Sequence, residues 1–276
     1  MVSRFTLYVA TALCASSAAF AEAAPVASLA SHRAAYDISL ADSVGSSPSA
    51  AQAPVAASGL IAYEFRGSSC EGYTSNFRQM TQMERSEGEP ISMQVNANSF
   101  EEGNAKSMRF RIDSQSTQDT PPVVGTATRG DDDDMRVVLT KPKAQSLDFG
   151  REVMFPTQHI ERLIEIAKQG GGPMQARVYD GSDTGAKIFA TMSVVGKEAT
   201  KPDEDTETAS ALSGIRRWPV VISYFNEAAT DAPPEYTLSF DLYENGVSGS
   251  LKLDYGAFAL NARLRKLEIL PTTACK

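Results

Sequence analysis

The chain has 276 residues, of which 34 are acidic and 26 are basic, and its formal net charge is −8. An acidic chain without a basic cluster argues against nucleic acid and against anionic lipid surfaces as partners. The length is enough for one large hydrophobic core or two small ones.

The first predicted element is a cleavable signal peptide. Arg4 gives a positively charged start, and residues 5–17 are apolar or small. This apolar stretch is too short to cross a bilayer as a stop-transfer helix. The small-x-small sequence Ala19-Phe20-Ala21 predicts cleavage after Ala21, with Ala23 as the alternative.

The three cysteines have different contexts. Cys14 lies within the predicted signal, and the residues before it, Leu13 and Thr11, do not fit the pattern for lipid attachment. A soluble periplasmic product is therefore expected rather than a lipid-anchored one. In that oxidising compartment the remaining pair, Cys70 and Cys275, is predicted to form a disulfide rather than a metal site or a catalytic thiol.

Most of the exported chain alternates apolar and polar residues. The alternation is clear in Tyr36–Leu40, Ile61–Arg66 and Met108–Asp113. A period of two predicts antiparallel strands with one buried face and one solvated face.

One segment, at about 156–169, breaks this pattern and is predicted to be the single α-helix. Pro156 fits the first turn, and Thr157 is available as the N-terminal cap. The glycines at 170–172 end the helix. Its apolar residues recur at helical spacing: Ile160, Leu163, Ile164 and Ala167.

The C-terminal third is predicted to be a meander of strands. Alternating residues from Tyr236 to Leu242 are followed by Asn245-Gly246, which predicts a hairpin with a type I′ turn. The return strand covers 251–255, and the pattern continues through 258–264. Together the chain predicts an all-β antiparallel fold, a barrel or sandwich of about a dozen or more strands.

Two stretches without periodicity, near 42–58 and 198–214, are predicted to be flexible surface loops. Strand patterns continue on both sides of each, so neither marks a domain boundary. We therefore expect a signal peptide over 1–21 and a single domain over 22–276. No other stretch is apolar for the length of a membrane helix, so the domain is not expected to span a membrane.

The sequence offers little for catalysis, and no catalytic residue is predicted. The chain contains two histidines, His32 and His159, and no Gly-x-Ser-x-Gly motif. His159 lies near the predicted helix start, where the helix dipole disfavours its protonated form and could suit a base. A structural histidine in the first turn is the favoured interpretation, and a hydrolase using His159 remains an alternative.

No cofactor or metal site is predicted either. Asp131–Asp134 lacks the ligand spacing of an EF-hand and is predicted to be a solvated hairpin tip. Tyr179–Asp183 contains Asp-Gly and is predicted to be a turn. The glycines at 170–172 follow the helix rather than open it, so they do not form a nucleotide-binding loop.

Several stretches carry a resemblance to a known family. They are SHRAAYD at 31–37, YEF at 63–65, CEGYT at 70–74, FPTQH at 155–159, WPVVISYF at 218–225, LYENGV at 242–247 and LDYG at 253–256. In this order, and with a cysteine near the C-terminus, the chain resembles the EipB family of cell-envelope integrity proteins from the periplasm of Gram-negative bacteria. The match covers nearly the whole exported chain.

This resemblance implies a β-spiral, an open antiparallel barrel with a helix across its cavity. It also implies a disulfide between Cys70 and Cys275, which we expect to restrain the edges of the open barrel. The family is associated with envelope maintenance, and no enzymatic activity is established for it.

The leading hypothesis is therefore a non-catalytic periplasmic protein that supports envelope integrity. It would act as a monomer and bind another envelope component, either a protein or a lipid. The alternative, from another functional class, is a carrier that holds a lipid or other apolar ligand in the barrel cavity. The sequence does not predict which residues would bind a ligand.

Overall fold

The structure is a computed structural model that describes residues 29–41, 53–116, 120–200, 209–229, 231–272 and 275. The predicted signal peptide and Cys14 lie outside the described residues. The helices are α1 (Pro156–Lys168) and α2 (Ala209–Leu212). The strands are β1 (His32–Leu40), β2 (Pro54–Ser68), β3 (Gly72–Arg85), β4 (Ile91–Glu101), β5 (Ser107–Gln115), β6 (Val123–Arg129), β7 (Met135–Lys141), β8 (Gln145–Gly150), β9 (Val153–Met154), β10 (Gly172–Val178), β11 (Phe189–Val195), β12 (Arg217–Asn226), β13 (Tyr236–Tyr243), β14 (Ser248–Asp254) and β15 (Ala259–Ile269).

All fifteen described strands belong to one sheet. The order runs from β8 down to β1, continues with β15, and runs down to β9. Neighbouring strands are antiparallel except for the short parallel pair of β9 with β10. The sheet curls into a barrel that is closed except between β8 and β9–β10, which we call the seam. The predicted all-β open barrel is confirmed.

The first and last strands of this sheet are direct neighbours. β1 pairs with β15 on one side and with β2 on the other, so the sheet is continuous there. The two free edges, β8 and β9, follow one another in the chain with only residues 151 and 152 between them. The opening of the barrel therefore lies in the middle of the chain and not at its ends.

The alternation predicted from sequence sets the inner face of the barrel. In β12, Trp218, Val220 and Ile222 are buried, whereas Val221 between them is 41% exposed. Because successive side chains of a strand point to opposite faces, each strand contributes its buried positions to one interior.

Helix α1 crosses this interior, and its bounds match the predicted helix. Pro156 is its first residue, as expected, but Thr157 is its second residue and not its cap. The cap position is Phe155, whose backbone N–H donates to Oε1 of Gln158 at 3.1 Å. At the other end Gly170 and Gly171 adopt positive φ, a conformation that favours glycine.

The β13–β14 hairpin differs from its predicted turn. Gly246 has a positive φ of 84°, whereas Asn245 does not, so the turn is not type I′. Tyr243 and Val247 instead close a three-residue loop, with the Tyr243 N–H donating to the Val247 carbonyl at 2.9 Å. Within the loop, the Glu244 N–H donates to the carbonyl of Arg216, which directly precedes the neighbouring strand β12. This hydrogen bond accounts for the longer loop.

The two predicted loops are shorter than expected where the structure describes them. Residues 54–58 belong to β2, because their backbone pairs with the far end of β3. Residues 209–212 form α2, a four-residue helix that the sequence analysis did not predict. The remainder of the loop predictions, at 42–52 and 201–208, falls outside the described residues.

The acidic run Asp131–Asp134 lies at the tip of the β6–β7 hairpin and is exposed, as predicted. Two of its carboxylates pair with arginines, Asp133 with Arg129 and Asp134 with Arg151. Neither described helix is long and apolar enough to cross a bilayer.

Candidate functional site

The interior of the barrel is packed in some places and hollow in others. One packed cluster joins α1 to the inner faces of β10–β13, and a second covers β5–β7. A third cluster lies under β1 and β15. Between them is a cavity of about 460 Å³, which we call the barrel cavity. Its volume is in the range of small-molecule sites.

The walls of the barrel cavity are mainly aromatic and aliphatic. They come from β2–β5, from the first turns of α1, from the β10–β11 loop and from β12–β14. The large apolar side chains of the lining are Leu29, Tyr63, Phe65, Phe77, Val95, Phe110, Ile112, Ile160, Tyr224, Tyr236, Leu238 and Leu253. Several of these remain partly exposed although they point inward, because they face the hollow rather than packed protein.

Two tyrosines form one aromatic wall of the cavity. The rings of Tyr224 and Tyr236 stack with centroids 4.5 Å apart, and Phe189 meets Tyr224 edge to face at 5.7 Å. Burial raises the pKa of both phenols, and the nearby charge of Asp180 raises them further. Both tyrosines are therefore neutral over the physiological pH range.

Asp180 reaches this wall because the β10–β11 loop folds into the barrel. Tyr179 is fully buried and its hydroxyl donates to the Gly185 carbonyl at 2.8 Å. Gly181 has a φ of 76°, and a Cβ there would meet the ring of Phe110 at 2.5 Å, so the loop backbone lies directly against β5. The backbone turn lies over 182–185, where the Gly185 N–H donates to the Ser182 carbonyl, so it starts later than the predicted turn at 179–183. Tyr179, at the start of this loop, packs in the cluster beside β5–β7.

Burial also raises the pKa of the Asp180 carboxyl itself. Hydrogen bonds from Ser182 oppose this shift, including the Ser182 N–H that donates to Oδ1 at 2.9 Å. Lys187 is a charged neighbour, but its ammonium group donates to Glu235 and Asp183. Asp180 thus brings an acidic group to the cavity without a direct cationic partner in the described residues.

Glu101 is the second carboxyl of the cavity lining. It ends β4 on the inner face and is only 4% exposed. Its oxygens accept the backbone N–H of Thr157 at 3.2 and 3.3 Å. Glu101 on β4 therefore caps the start of α1, which lies far away in sequence. Burial raises its pKa to about 7, and the hydrogen bonds from Thr157 only partly offset this.

His159 is buried between α1 and β11. It is 3% exposed and its Nε2 lies 3.5 Å from the Oγ of Ser193, which is fully buried on β11. Burial lowers the pKa of His159 to about 4, so the ring is neutral at physiological pH. This serine–histidine pair joins α1 to the sheet within packed protein, which favours the structural interpretation.

His32 is also buried, at the start of β1. Its Nδ1 lies 2.8 Å from the carbonyl of Ala30, and its ring packs near those of Tyr63 and Phe65. Burial lowers its pKa. The two histidines are on different elements and have different partners, so the structure does not bring them into one site.

Cys70 and Cys275 are joined by a disulfide, with their Cα atoms 5.7 Å apart. Cys70 lies in the turn between β2 and β3, and Cys275 follows β15. The expectation that this bond restrains the free edges of the barrel is wrong. It lies across β15, β1 and β2, where the sheet is already continuous, and the free edges are β8 and β9.

Two arginines that the sequence analysis did not select bridge the seam instead. Arg177 on β10 donates to the backbone carbonyls of Phe149 at 3.0 Å and Arg151 at 2.7 Å. Arg129 on β6 donates to the carbonyl of Val153 at 2.8 Å and to Gln158 at 3.0 Å. Side chains therefore make the connections that backbone pairing does not make here.

Outside the seam is a second hollow, a groove of about 870 Å³. It is lined by both bridging arginines, by the turn between β4 and β5, by β9, and by residues of β10 and β11. Within the described residues no group of three or more histidine, cysteine or acidic side chains is arranged to hold a metal ion.

Comparison with known proteins places the chain in a family. A family model described as EipB-like matches residues 23–271. The Cell envelope integrity protein EipB of Brucella abortus (strain 2308) is 36% identical over 262 residues, which cover 92% of this chain and 90% of that protein. A crystal structure of a beta-barrel-like protein of domain of unknown function DUF1849, also from Brucella abortus, has a TM-score of 0.79 at 34% identity and covers 88% of this chain and 99% of that chain. The chain belongs to the EipB-like family.

Proposed function

We propose that this protein supports the integrity of a bacterial cell envelope from the periplasm, by binding another envelope component and without catalysing a reaction. The observation that carries the proposal is the similarity to the Brucella envelope integrity protein along nearly the whole chain, at 36% identity. The barrel that positions the site is shared too, with a TM-score of 0.79 to the solved relative.

The chemistry of the interior supports a binding role over a catalytic one. The pair of Ser193 and His159 is buried between β11 and α1. A general base must reach the proton that it removes, and only 3% of His159 is exposed. The barrel cavity and the groove outside the seam are hollows large enough to hold a small molecule.

Deletion and complementation in the source bacterium test this proposal. Loss of the gene should sensitise cells to detergent and to inhibitors of wall synthesis, and the wild-type gene should restore growth. His159→Gln and Ser193→Ala should restore growth as well as the wild type, provided that the purified variants melt cooperatively. Loss of complementation by a variant that folds normally would favour the hydrolase hypothesis instead.

A second experiment addresses the partner. Crosslinking in intact cells followed by purification of this protein should retain an envelope protein or an envelope lipid. The matched control is an unrelated periplasmic protein of similar acidic charge, since non-specific capture follows charge. If the deletion has no envelope phenotype and crosslinking retains only what the control retains, the proposal is wrong.

The alternative function, a carrier of an apolar ligand, is favoured by one observation. The barrel cavity of about 460 Å³ has aromatic and aliphatic walls and is not filled by side chains. Mass spectrometry of protein purified without detergent should then detect a bound apolar molecule. Ala97→Phe, which enlarges a side chain of the cavity wall on β4, should reduce the amount that is retained.

A further inference from the structure

The charge of the barrel cavity restricts what it can hold. Among its described lining residues, the ionisable groups other than tyrosines are both carboxyls, Glu101 and Asp180. Neither forms a salt bridge with a described lysine or arginine. A buried acid without a cation is costly when ionised, and a ligand that brings the cation would reduce that cost.

Aromatic side chains line the same cavity as these acids. They include Tyr63 on β2, and Tyr224 and Tyr236, whose rings stack with centroids 4.5 Å apart. Aromatic faces attract cations, and a carboxylate beside them supplies the opposite charge. Carboxylates and tyrosine rings therefore converge on one hollow whose remaining walls are apolar.

We infer that the barrel cavity binds an apolar molecule that carries a protonated amine or a quaternary ammonium group, with the cation placed between the aromatic wall and the two carboxyls. This deepens the carrier function proposed above and depends on it. A fatty acid or another apolar anion fits poorly, because its charge would face two carboxyls with no cation in the lining.

The test compares three molecules that share one alkyl chain and differ in head group: decylamine, decanol and decanoate. Each is titrated into the purified protein by calorimetry below its aggregation concentration. Decylamine should bind at least about tenfold more tightly than decanol, because a cation close to a carboxylate in a partly buried site gains several kcal/mol before desolvation is subtracted. Decanoate should bind most weakly.

Variants then locate the effect. The double variant Glu101→Gln and Asp180→Asn keeps the shapes of both side chains but removes their charge, so it should bind decylamine and decanol equally. Glu84→Gln makes the same chemical change on an exposed part of β3 and should keep the preference for the amine. Ala97→Phe should weaken binding of all three molecules if they occupy the cavity.

Several results would overturn the inference. In the wild type, decanol or decanoate could bind as tightly as decylamine. That result would refute the preference for a cationic ligand but not the carrier function. The preference could also persist in the double variant, or binding could survive Ala97→Phe, and either would place the site elsewhere. If no molecule binds, the carrier function fails too, whereas the envelope role is judged separately by complementation. The head-group series in the wild type decides the outcome even if the double variant does not fold.

Discussion

The barrel has two joins that are held in different ways. At the first, the outermost strands in sequence, β1 and β15, pair along nine residues of β1, and the disulfide of Cys70 with Cys275 lies across the same side. At the second, the seam, β8 has no strand partner on its open side, and β9 contributes only two residues. One join is made by backbone and covalent bonds, and the other by side chains.

The difference teaches where this fold is vulnerable. A disulfide constrains the unfolded chain wherever it lies in the folded one, so it stabilises the whole barrel. The seam depends on two arginines that each have several partners, Arg129 and Arg177. Removing one such group leaves backbone carbonyls without partners, which makes the effect local and large.

The largest expected effect comes from removing the disulfide. The bond closes a span of 205 residues. The chain-entropy model gives a loss of up to about 5 kcal/mol in the free energy of unfolding for Cys70→Ser with Cys275→Ser. Urea unfolding of oxidised and reduced protein measures the loss.

The same comparison tests where the disulfide acts. After reduction, amide hydrogen exchange should not speed up more in β8 and β10 than in the other strands, because the disulfide does not lie at the seam. Selective opening of the seam in reduced protein, or equal stability of the two forms, would contradict this description of the first join.

Arg129→Met should have the next largest effect. The Arg129 side chain is 8% exposed, and its loss leaves the carbonyls of Ala105 and Val153 without that donor. We expect a loss of about 3 kcal/mol in the free energy of unfolding, since breaking a buried charged group from its partners costs that much. Arg136→Met is the matched control. Arg136 lies on the neighbouring strand in an exposed pair with Asp148, so its loss should change stability little. Equal losses in the two variants would remove the distinction between seam and surface.

The local elements of the fold could be predicted from sequence far better than the joins that close the barrel. Alternation and turn residues identify the strands, and the glycines after Ala167 mark the end of α1. These signals are local, so they can be recognised in the sequence without knowledge of the fold. The three-residue loop at Glu244–Gly246 was missed because it depends on a bond between Glu244 and Arg216, which a local turn pattern does not contain.

The acids of the cavity were missed for a related reason. Asp-Gly at 180–181 favours a turn, but only the space beside β5–β7 determines that this segment is buried. Glu101 did carry a usable signal, since it shares the inward parity of Val95, Ala97 and Ser99 on β4. An acidic residue at an inward strand position indicates a cap, a buried ion pair or a binding site.

Glu101→Gln should make the stability of the barrel less sensitive to pH. The ordinary pKa of the glutamate carboxyl is 4.5, and in the folded protein it is raised to about 7, chiefly by burial. Between these values the folded state binds more protons than the unfolded state, so the free energy of unfolding falls as pH rises from 4.5 to 7. The variant cannot ionise, and its amide oxygen can still accept from Thr157. It should therefore exceed the wild type by up to about 3 kcal/mol above pH 7 and match it near pH 4.

Urea unfolding across this pH range measures the difference between the two proteins. His159 titrates in an overlapping range with the opposite sign, since its lowered pKa of about 4 makes the folded state bind fewer protons. Taking the difference between Glu101→Gln and the wild type cancels that contribution. Glu84→Gln should show no such pH dependence, and a variant that is less stable than the wild type at pH 8 would show that the ionised cap is favourable.

Arg177→Met should give the smallest loss, and it separates local from global stability. The side chain is 33% exposed and donates to Phe149 and Arg151 across the seam while pairing with Glu227. We expect a loss of about 1–2 kcal/mol in the free energy of unfolding, because partial exposure lets water replace some of these bonds. Hydrogen exchange should nevertheless speed up selectively in β8 and β10, since the arginine joins those two strands where no backbone ladder does.

The control is Arg33→Met, which removes an exposed arginine from β1 at the continuous join. It should leave hydrogen exchange in β1 unchanged, because the backbone ladders to β2 and β15 remain. If both variants open their strands equally, the two joins are held in the same way and the seam is not the weak point of the barrel.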